Sequence, residues 1–236
     1  MSNSSPDITS LFKGRFITGF EALQKKLAGI KAYVFDWDGV FNDGFKNDDG
    51  SSPFSEVDSM GTNLLRFSHY LRTKSNPVFA VISGEKNTAA FTLAQRENFH
   101  VVYFRVKHKA DALQHLSATY GLKQEEIAFV FDDVLDLSAA KLAGLRIMVP
   151  HAATPALTDF CIRNNLADYI SFADGRNHAV REAAELMIYL GGNYDAAITS
   201  RMEFSPVYQV YLAQRNSVST SFYTVDPKNS VQAATL

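Results

Sequence analysis

The chain has 236 residues, 46% of them hydrophobic, a formal net charge of −2 and a single cysteine, Cys161. That length and composition suit one sizeable domain with a well-buried core. The near-neutral charge argues against a global attraction to nucleic acid or anionic membrane, the lone cysteine excludes an intramolecular disulfide or a cysteine-rich zinc site, and no apolar run is long enough to span a membrane.

In chain order, residues 1–8 read as disordered, and the polar opening MSNSSPDITS lacks an apolar signal core, so a cytoplasmic protein is expected. Residues 10–28 read as a helical lead-in, weakest around Gly14 and Gly19. Apolar runs then alternate with helical patterns. The runs are KAYVFDWD (31–38), VFAVISG (78–84), VVYF (101–104), IAFVFDD (127–133) and RIMVP (146–150). They are short and rich in Val, Ile and Phe, without strict alternation, as strands buried on both faces are. Helices are expected at 60–73, 86–98, 109–121 and 137–144. The rhythm predicts an α/β fold, a Rossmann-like parallel sheet between two helical layers. Between the first strand and the first of these helices, NDDGSS is a strong turn signal, and a projecting β-hairpin is expected at about 41–56. Beyond residue 176 a helix ends at Gly191 and Gly192, and a second one follows. The remaining Ser/Thr/Asn-rich stretch carries Tyr208, Tyr211, Phe222 and Tyr223, too many aromatics for a solvated tail. It is expected to dock on its own body or on a neighbouring subunit. The organisation expected is an N-terminal extension (1–28), a main domain (29–195) and a C-terminal tail (196–236).

Ligands bind parallel sheets at the carboxyl ends of the strands. Three runs end there in polar residues: Asp36 and Asp38, Ser83 and Gly84, Asp132 and Asp133 with Asp136 close behind. Carboxylates are hard oxygen ligands, and such a cluster recruits Mg²⁺, which favours phosphate oxygens. A carboxylate beside the metal stays ionised and can attack phosphorus, and a second one two residues on can hold a proton for the leaving oxygen. Ser83 and the Gly84 N–H can donate to a phosphoryl group, and Lys109, at the start of a helix, can neutralise it. Lys107 is the nearby competitor for that role. Trp37, between the two acids, is expected to point away and pack; Cys161 is expected to be buried. The histidines are scattered, with no ligand-pair spacing.

Together these residues resemble the haloacid dehalogenase-like superfamily of phosphohydrolases. DWDGV is similar to its first motif, VISG to its second, Lys109 in VKHKADAL to its third and FVFDDVLD to its fourth, all in order. FDWDGVFNDGF…FSEVDSMGTNLLRF, YFRVKHKADAL and DGRNHAVREAAELMI extend the resemblance, from about 31 to 195, to the 3-deoxy-D-manno-octulosonate 8-phosphate phosphatases. The intervals from Asp36 to Ser83 and from Ser83 to Lys109 leave no room for a cap domain, in keeping with that group. The resemblance implies a phosphomonoesterase with Asp36 as nucleophile and Asp38 as acid and base. It implies Mg²⁺ held by Asp36, the backbone carbonyl of Asp38 and Asp132, and phosphate held by Ser83, Gly84 and Lys109. Asp133 and Asp136 are expected to stand behind the metal ligands. A homotetramer acting on a small phosphate ester, with no nucleic acid or membrane partner, is implied as well. The pattern departs at Asn42, where the group has Thr, at Phe131, where it has Gly, and at Glu85, where it has Arg. Another sugar phosphate as substrate, or a catalytically weak assembly protein on the same fold, are the alternatives.

Overall fold

A computed structural model describes residues 8–235. All but the last of the residues expected to be disordered therefore lie outside the described part. Helix α1 (Ile8–Leu11) opens it, followed by β1 (Arg15–Phe16), α2 (Phe20–Gly29) and β2 (Ala32–Phe35). Then come α3 (Glu56–Thr73), β3 (Val78–Ile82), α4 (Thr88–Arg96), β4 (Val101–Tyr103), α5 (Lys109–Tyr120) and β5 (Ile127–Phe131). The second half holds α6 (Leu137–Ala140), β6 (Leu145–Met148), α7 (Pro155–Arg163), β7 (Tyr169–Ile170), α8 (Ala179–Leu190), α9 (Tyr194–Met202), α10 (Pro206–Asn216), β8 (Ser221–Val225) and β9 (Val231–Ala233).

The strands form one sheet in the order β1-β7-β6-β5-β2-β3-β4-β8-β9, parallel from β7 through β8 and antiparallel only at its two ends. Every residue of β2, β3 and β5 is buried, as continuous apolar runs require. Successive side chains pass to opposite faces. Tyr33 and Phe35 join a core with Leu23, Leu65, Leu186 and Tyr211, while Ala32 and Val34 join one with Leu113, Ala139 and Cys161. This is the three-layer α/β architecture. No helix among the described residues is long and apolar enough to cross a membrane.

Three expectations are corrected. The lead-in is not one helix: Gly14 lies against the Tyr169 ring and the Ile170 carbonyl, where a side chain has no room, and β1 pairs there with β7. No strands pair within 41–56. That segment is a loop whose closing turn is held by Asn47 N–H on the Ser51 carbonyl (2.8 Å). The carbonyls that a hairpin ladder would use are taken by side chains, since Trp37 Nε1 donates to Ser52 (3.2 Å) and Asn42 Nδ2 to Pro53 (3.1 Å). The helix expected at 137–144 spans only Leu137–Ala140. The residues read as an N-terminal extension and a C-terminal tail both enter the central packing: Leu23 and Leu27 from one, Tyr208 and Tyr211 from the other share a core with Phe35. The tail docks on its own body. Tyr208 and Tyr211 meet Phe67 at 4.9 and 5.1 Å between ring centroids, and β8 adds to the β4 edge with Tyr103 opposite Tyr223. Strand β7 and helix α7, which carried no expectation, complete the opposite edge.

Candidate active site

From β2 the chain steps to β3 and β4 on one side, then crosses back to β5, β6 and β7 on the other. The crevice between the carboxyl ends of β2 and β5 is therefore the switch point of the sheet, where parallel α/β folds bind ligands. Asp36 follows β2 directly, its N–H still paired to the Val130 carbonyl (2.9 Å). Asp132 follows β5, Ser83 follows β3, and Lys109 is the first residue of α5 after β4.

Three carboxylates converge in that crevice. Oxygens of Asp36, Asp132 and Asp136 all lie within 4.8 Å of one another, and all three residues are buried. One ammonium faces them: Lys109 Nζ, also buried, donates to Asp36 Oδ1 at 2.5 Å and to Asp136 Oδ1. The other Asp136 oxygen accepts from the N–H groups of Asp132 (3.3 Å) and Asp133 (3.1 Å). Asp132 Oδ2 meets His151 Nε2 at 2.8 Å, and its Oδ1 is buried with no partner. Gly39, at φ +87°, lets the loop after β2 pass against Asp132, because a side chain there would collide with that carboxylate.

The electrostatics follow from three negative groups and one positive. Burial, then repulsion from Asp136, raises Asp36 well above the ordinary carboxylate range despite Lys109. Burial and Asp136 likewise push Asp132 up to about 7. Burial opposes charge on Lys109, but Asp36 and Asp136 outweigh it and hold its ammonium firmly protonated. A cluster in this state is short of positive charge. The orphaned Asp132 Oδ1, the all-oxygen donor set and the Asp38 carbonyl, which accepts no bond among the described residues, fit a hard divalent cation.

The remaining residues stand as follows. The Asp38 side chain turns to the outer side, accepting from Lys46 Nζ and Ser52 Oγ, each at 2.6 Å, and is more exposed than that of Asp36. Ser83 is buried; its Oγ accepts from Glu85 N–H (3.2 Å), and the Gly84 N–H has no partner among the described residues. Asp133 is exposed and caps its own turn, accepting from Val134 N–H at 2.6 Å. Asp136, expected behind the ligands, is inside the cluster. Lys107 lies outside it, paired to Glu85 at 2.5 Å. Trp37 is fully buried, stacked on Phe41 at 4.8 Å, and Cys161 is buried. Asn42, where the resembled group has Thr, binds Gly44 N–H and the Trp37 and Pro53 carbonyls and so knits the loop over the site. His151 was not singled out by sequence. Its signal was its place directly after the run at 146–150, on the same sheet edge as the acids.

No family model matches the chain. It is 26% identical to the 3-deoxy-D-manno-octulosonate 8-phosphate phosphatase KdsC of Salmonella typhi over 176 residues, covering 73% of this chain and 86% of that protein. Solved structures share its fold, and two of them serve for comparison. A subfamily III A hydrolase of the haloacid dehalogenase superfamily from Legionella pneumophila aligns with a TM-score of 0.64 at 28% identity, covering 78% of this chain and 95% of that one. The chain has the haloacid dehalogenase-like fold and resembles its capless octulosonate-phosphate phosphatases. The second structure is such a phosphatase, from Moraxella catarrhalis, in complex with magnesium, phosphate and the octulosonate. It aligns with a TM-score of 0.63 at 28% identity, over 77% of this chain and 99% of that one.

Proposed function

We propose that the chain is a Mg²⁺-dependent phosphomonoesterase that works through an aspartyl-phosphate on Asp36, with 3-deoxy-D-manno-octulosonate 8-phosphate as its substrate. The observation that carries this reading is the buried group Asp36, Asp132 and Asp136 with the single cation Lys109 at the switch point. Asp36 attacks phosphorus. The bond to the sugar oxygen breaks, and that oxygen takes a proton from Asp38, which Ser52 and Lys46 hold on the outer side where the sugar leaves. Water then attacks the aspartyl-phosphate and gives its proton to Asp38, releasing phosphate and restoring the Asp36 carboxylate. Ser83, the Gly84 N–H and Lys109 hold the phosphoryl oxygens through the transfer. Asp36, Asp132 and the Asp38 carbonyl would hold Mg²⁺, which would supply the positive charge that keeps Asp36 ionised and offsets the negative charge on the phosphoryl oxygens. Asp136 orients Lys109 and the Asp132–Asp133 backbone; Asp133 stands further out. Homotetrameric assembly belongs to the same reading, and the exposed Phe45 on the loop over the site suits a contact surface.

Glu85 favours a second reading, the same chemistry on a different sugar phosphate. Phosphate release from a panel of sugar phosphates, with Mg²⁺ and with EDTA, decides between them. Mg²⁺-dependent preference for the octulosonate supports the first. Activity on other esters but not on that one supports the second, and no release from any ester overturns both.

A further inference from the structure

Of the three acids at the switch point, Asp132 is the one that Lys109 leaves aside. Lys109 pairs with Asp36 and Asp136, whereas the only basic side chain on Asp132 among the described residues is His151, with Nε2 at 2.8 Å from Oδ2. The two oxygens of Asp132 are therefore unlike. Oδ2 is engaged by the imidazole, and Oδ1 is buried with no hydrogen-bond partner. A carboxylate that serves as a metal ligand is ionised and can only accept, so Nε2 is the ring nitrogen that carries the hydrogen.

The backbone brings the ring there. Val149 N–H extends the pairing of β6 with β5 past the end of β6, donating to the Phe131 carbonyl (2.7 Å) directly before Asp132. The His151 carbonyl then closes a turn, accepting from the N–H (3.0 Å) and the hydroxyl (3.3 Å) of Thr154. The loop after β2 packs on the same pair, since a side chain at Gly39 would meet both Asp132 Oδ2 and His151 Nε2. That loop also carries the Asp38 carbonyl, so the imidazole sits where two segments that offer metal-facing oxygens come together. The terminal torsion of an aspartate is broad, and with no partner on Oδ2 either oxygen is free to turn toward the metal.

We propose that His151 is a positioning residue for the metal: by holding Asp132 Oδ2 it fixes the carboxylate so that Oδ1 is presented to Mg²⁺. The proposal rests on the Mg²⁺ site of the phosphatase reading above. It adds a residue that lies outside all four motifs on which the resemblance stands. Partners that hydrogen-bond a ligating carboxylate from behind set metal affinity by roughly tenfold to a hundredfold.

Calorimetric titration of Mg²⁺ into the unaltered protein, His151→Ala and His151→Gln tests the proposal. Glutamine keeps an N–H donor at about the reach of the imidazole Nε2. The Kd for Mg²⁺ should rise roughly tenfold to a hundredfold in His151→Ala, and His151→Gln should recover most of that loss. The ring borders an open cavity of about 410 Å³, so its removal leaves no closed hole in the core, and thermal midpoints in EDTA should show both variants folded. A Kd unchanged in His151→Ala would overturn the proposal. So would a loss that glutamine does not lessen, which would assign the effect to packing. Proton–nitrogen correlation spectra of the unaltered protein with Mg²⁺ read the same contact without a substitution. The His151 ring should carry its hydrogen on Nε2; a hydrogen on Nδ1 alone would overturn the proposal as well. A Mg²⁺ site weakened in His151→Ala, with no phosphate released from any ester by the unaltered protein, would overturn the phosphatase reading and leave the role of His151 standing. No Mg²⁺ binding by the unaltered protein would overturn both.

Discussion

Two buried carboxylate centres stand at opposite edges of the same sheet and are built on opposite principles. At the amino edge, Asp168, just before β7, is fully enclosed and fully answered. Arg146 reaches it with Nε and a terminal nitrogen, each at 3.0 Å, Lys26 at 2.8 Å, the Thr18 hydroxyl at 2.7 Å and the Arg146 N–H at 2.9 Å. Burial alone would raise its pKa, yet these partners hold it below the ordinary carboxylate range. At the carboxyl edge, Lys109 pairs with Asp36 and Asp136 but not with Asp132, and Asp36 and Asp132 are driven upward instead. A buried charge with complete partners holds elements together: Asp168 links α2, β6 and, through its backbone carbonyl, the β1 region. A buried cluster short of partners costs stability and is kept where something binds or reacts.

The contrast can be broken by substitution. The largest expected effect is on activity: Asp36→Asn should lower phosphate release at least about 10³-fold, because the nucleophile is lost. Its thermal midpoint in EDTA should equal or exceed that of the unaltered protein, since a repelled charge is removed; a sharp loss of stability would show Asp36 to be structural. Asp168→Asn should do the reverse. It strands the Arg146 guanidinium and the Lys26 ammonium, so urea unfolding should report a loss of about 3–5 kcal/mol, with kcat retained in the folded fraction. Metal should separate the two centres next. Saturating Mg²⁺, at about a hundred times its Kd, should stabilise the protein by about 2.7 kcal/mol. Asp132→Asn should abolish that gain and Asp168→Asn should keep it.

The most gradual effect is the pH dependence of stability in EDTA, with a slope below about 1.4 kcal/mol per pH unit for each titrating group. Asp132 has a folded pKa of about 7, raised above an unfolded value of about 3.9. The folded state therefore binds the extra proton between them, and stability should fall as pH rises through that window. Asp168 has a lowered folded pKa. Its contribution is complete above the unfolded value and should be lost as pH falls from about 3.9 through the folded one. Asp132→Asn should flatten the upper limb of the profile and Asp168→Asn the lower limb.

The sequence made the reacting half of this contrast legible and hid the other half. Strands β2, β3 and β5 are apolar on both faces, so their runs were visible, and Asp36, Ser83 and Asp132 mark where each one ends. Lys109 was visible as the first residue of a helix. Strands β1 and β7 have two residues each, too few for any periodicity, and Asp168 has meaning only once Lys26 and Arg146 arrive from distant elements. Asp136 enters the cluster because the short turn after β5 folds its side chain back onto the Asp132 and Asp133 N–H groups, which the spacing alone does not reveal. The turn signal at NDDGSS was real, but the pairing it implied was pre-empted by the Trp37 and Asn42 side chains. The aromatics of SFYTV point to docking, but nothing in the sequence names its partner, and only the open β4 edge turns it into a strand.

The most direct measurement is acid quenching of the protein during turnover of 3-deoxy-D-manno-octulosonate 8-phosphate with Mg²⁺, followed by mass analysis of its peptides. Phosphate attached to the peptide that contains Asp36, absent with EDTA and absent in Asp36→Asn, is the predicted result. Turnover that continues with no phosphorylated peptide, or with the label on another residue, would contradict the account.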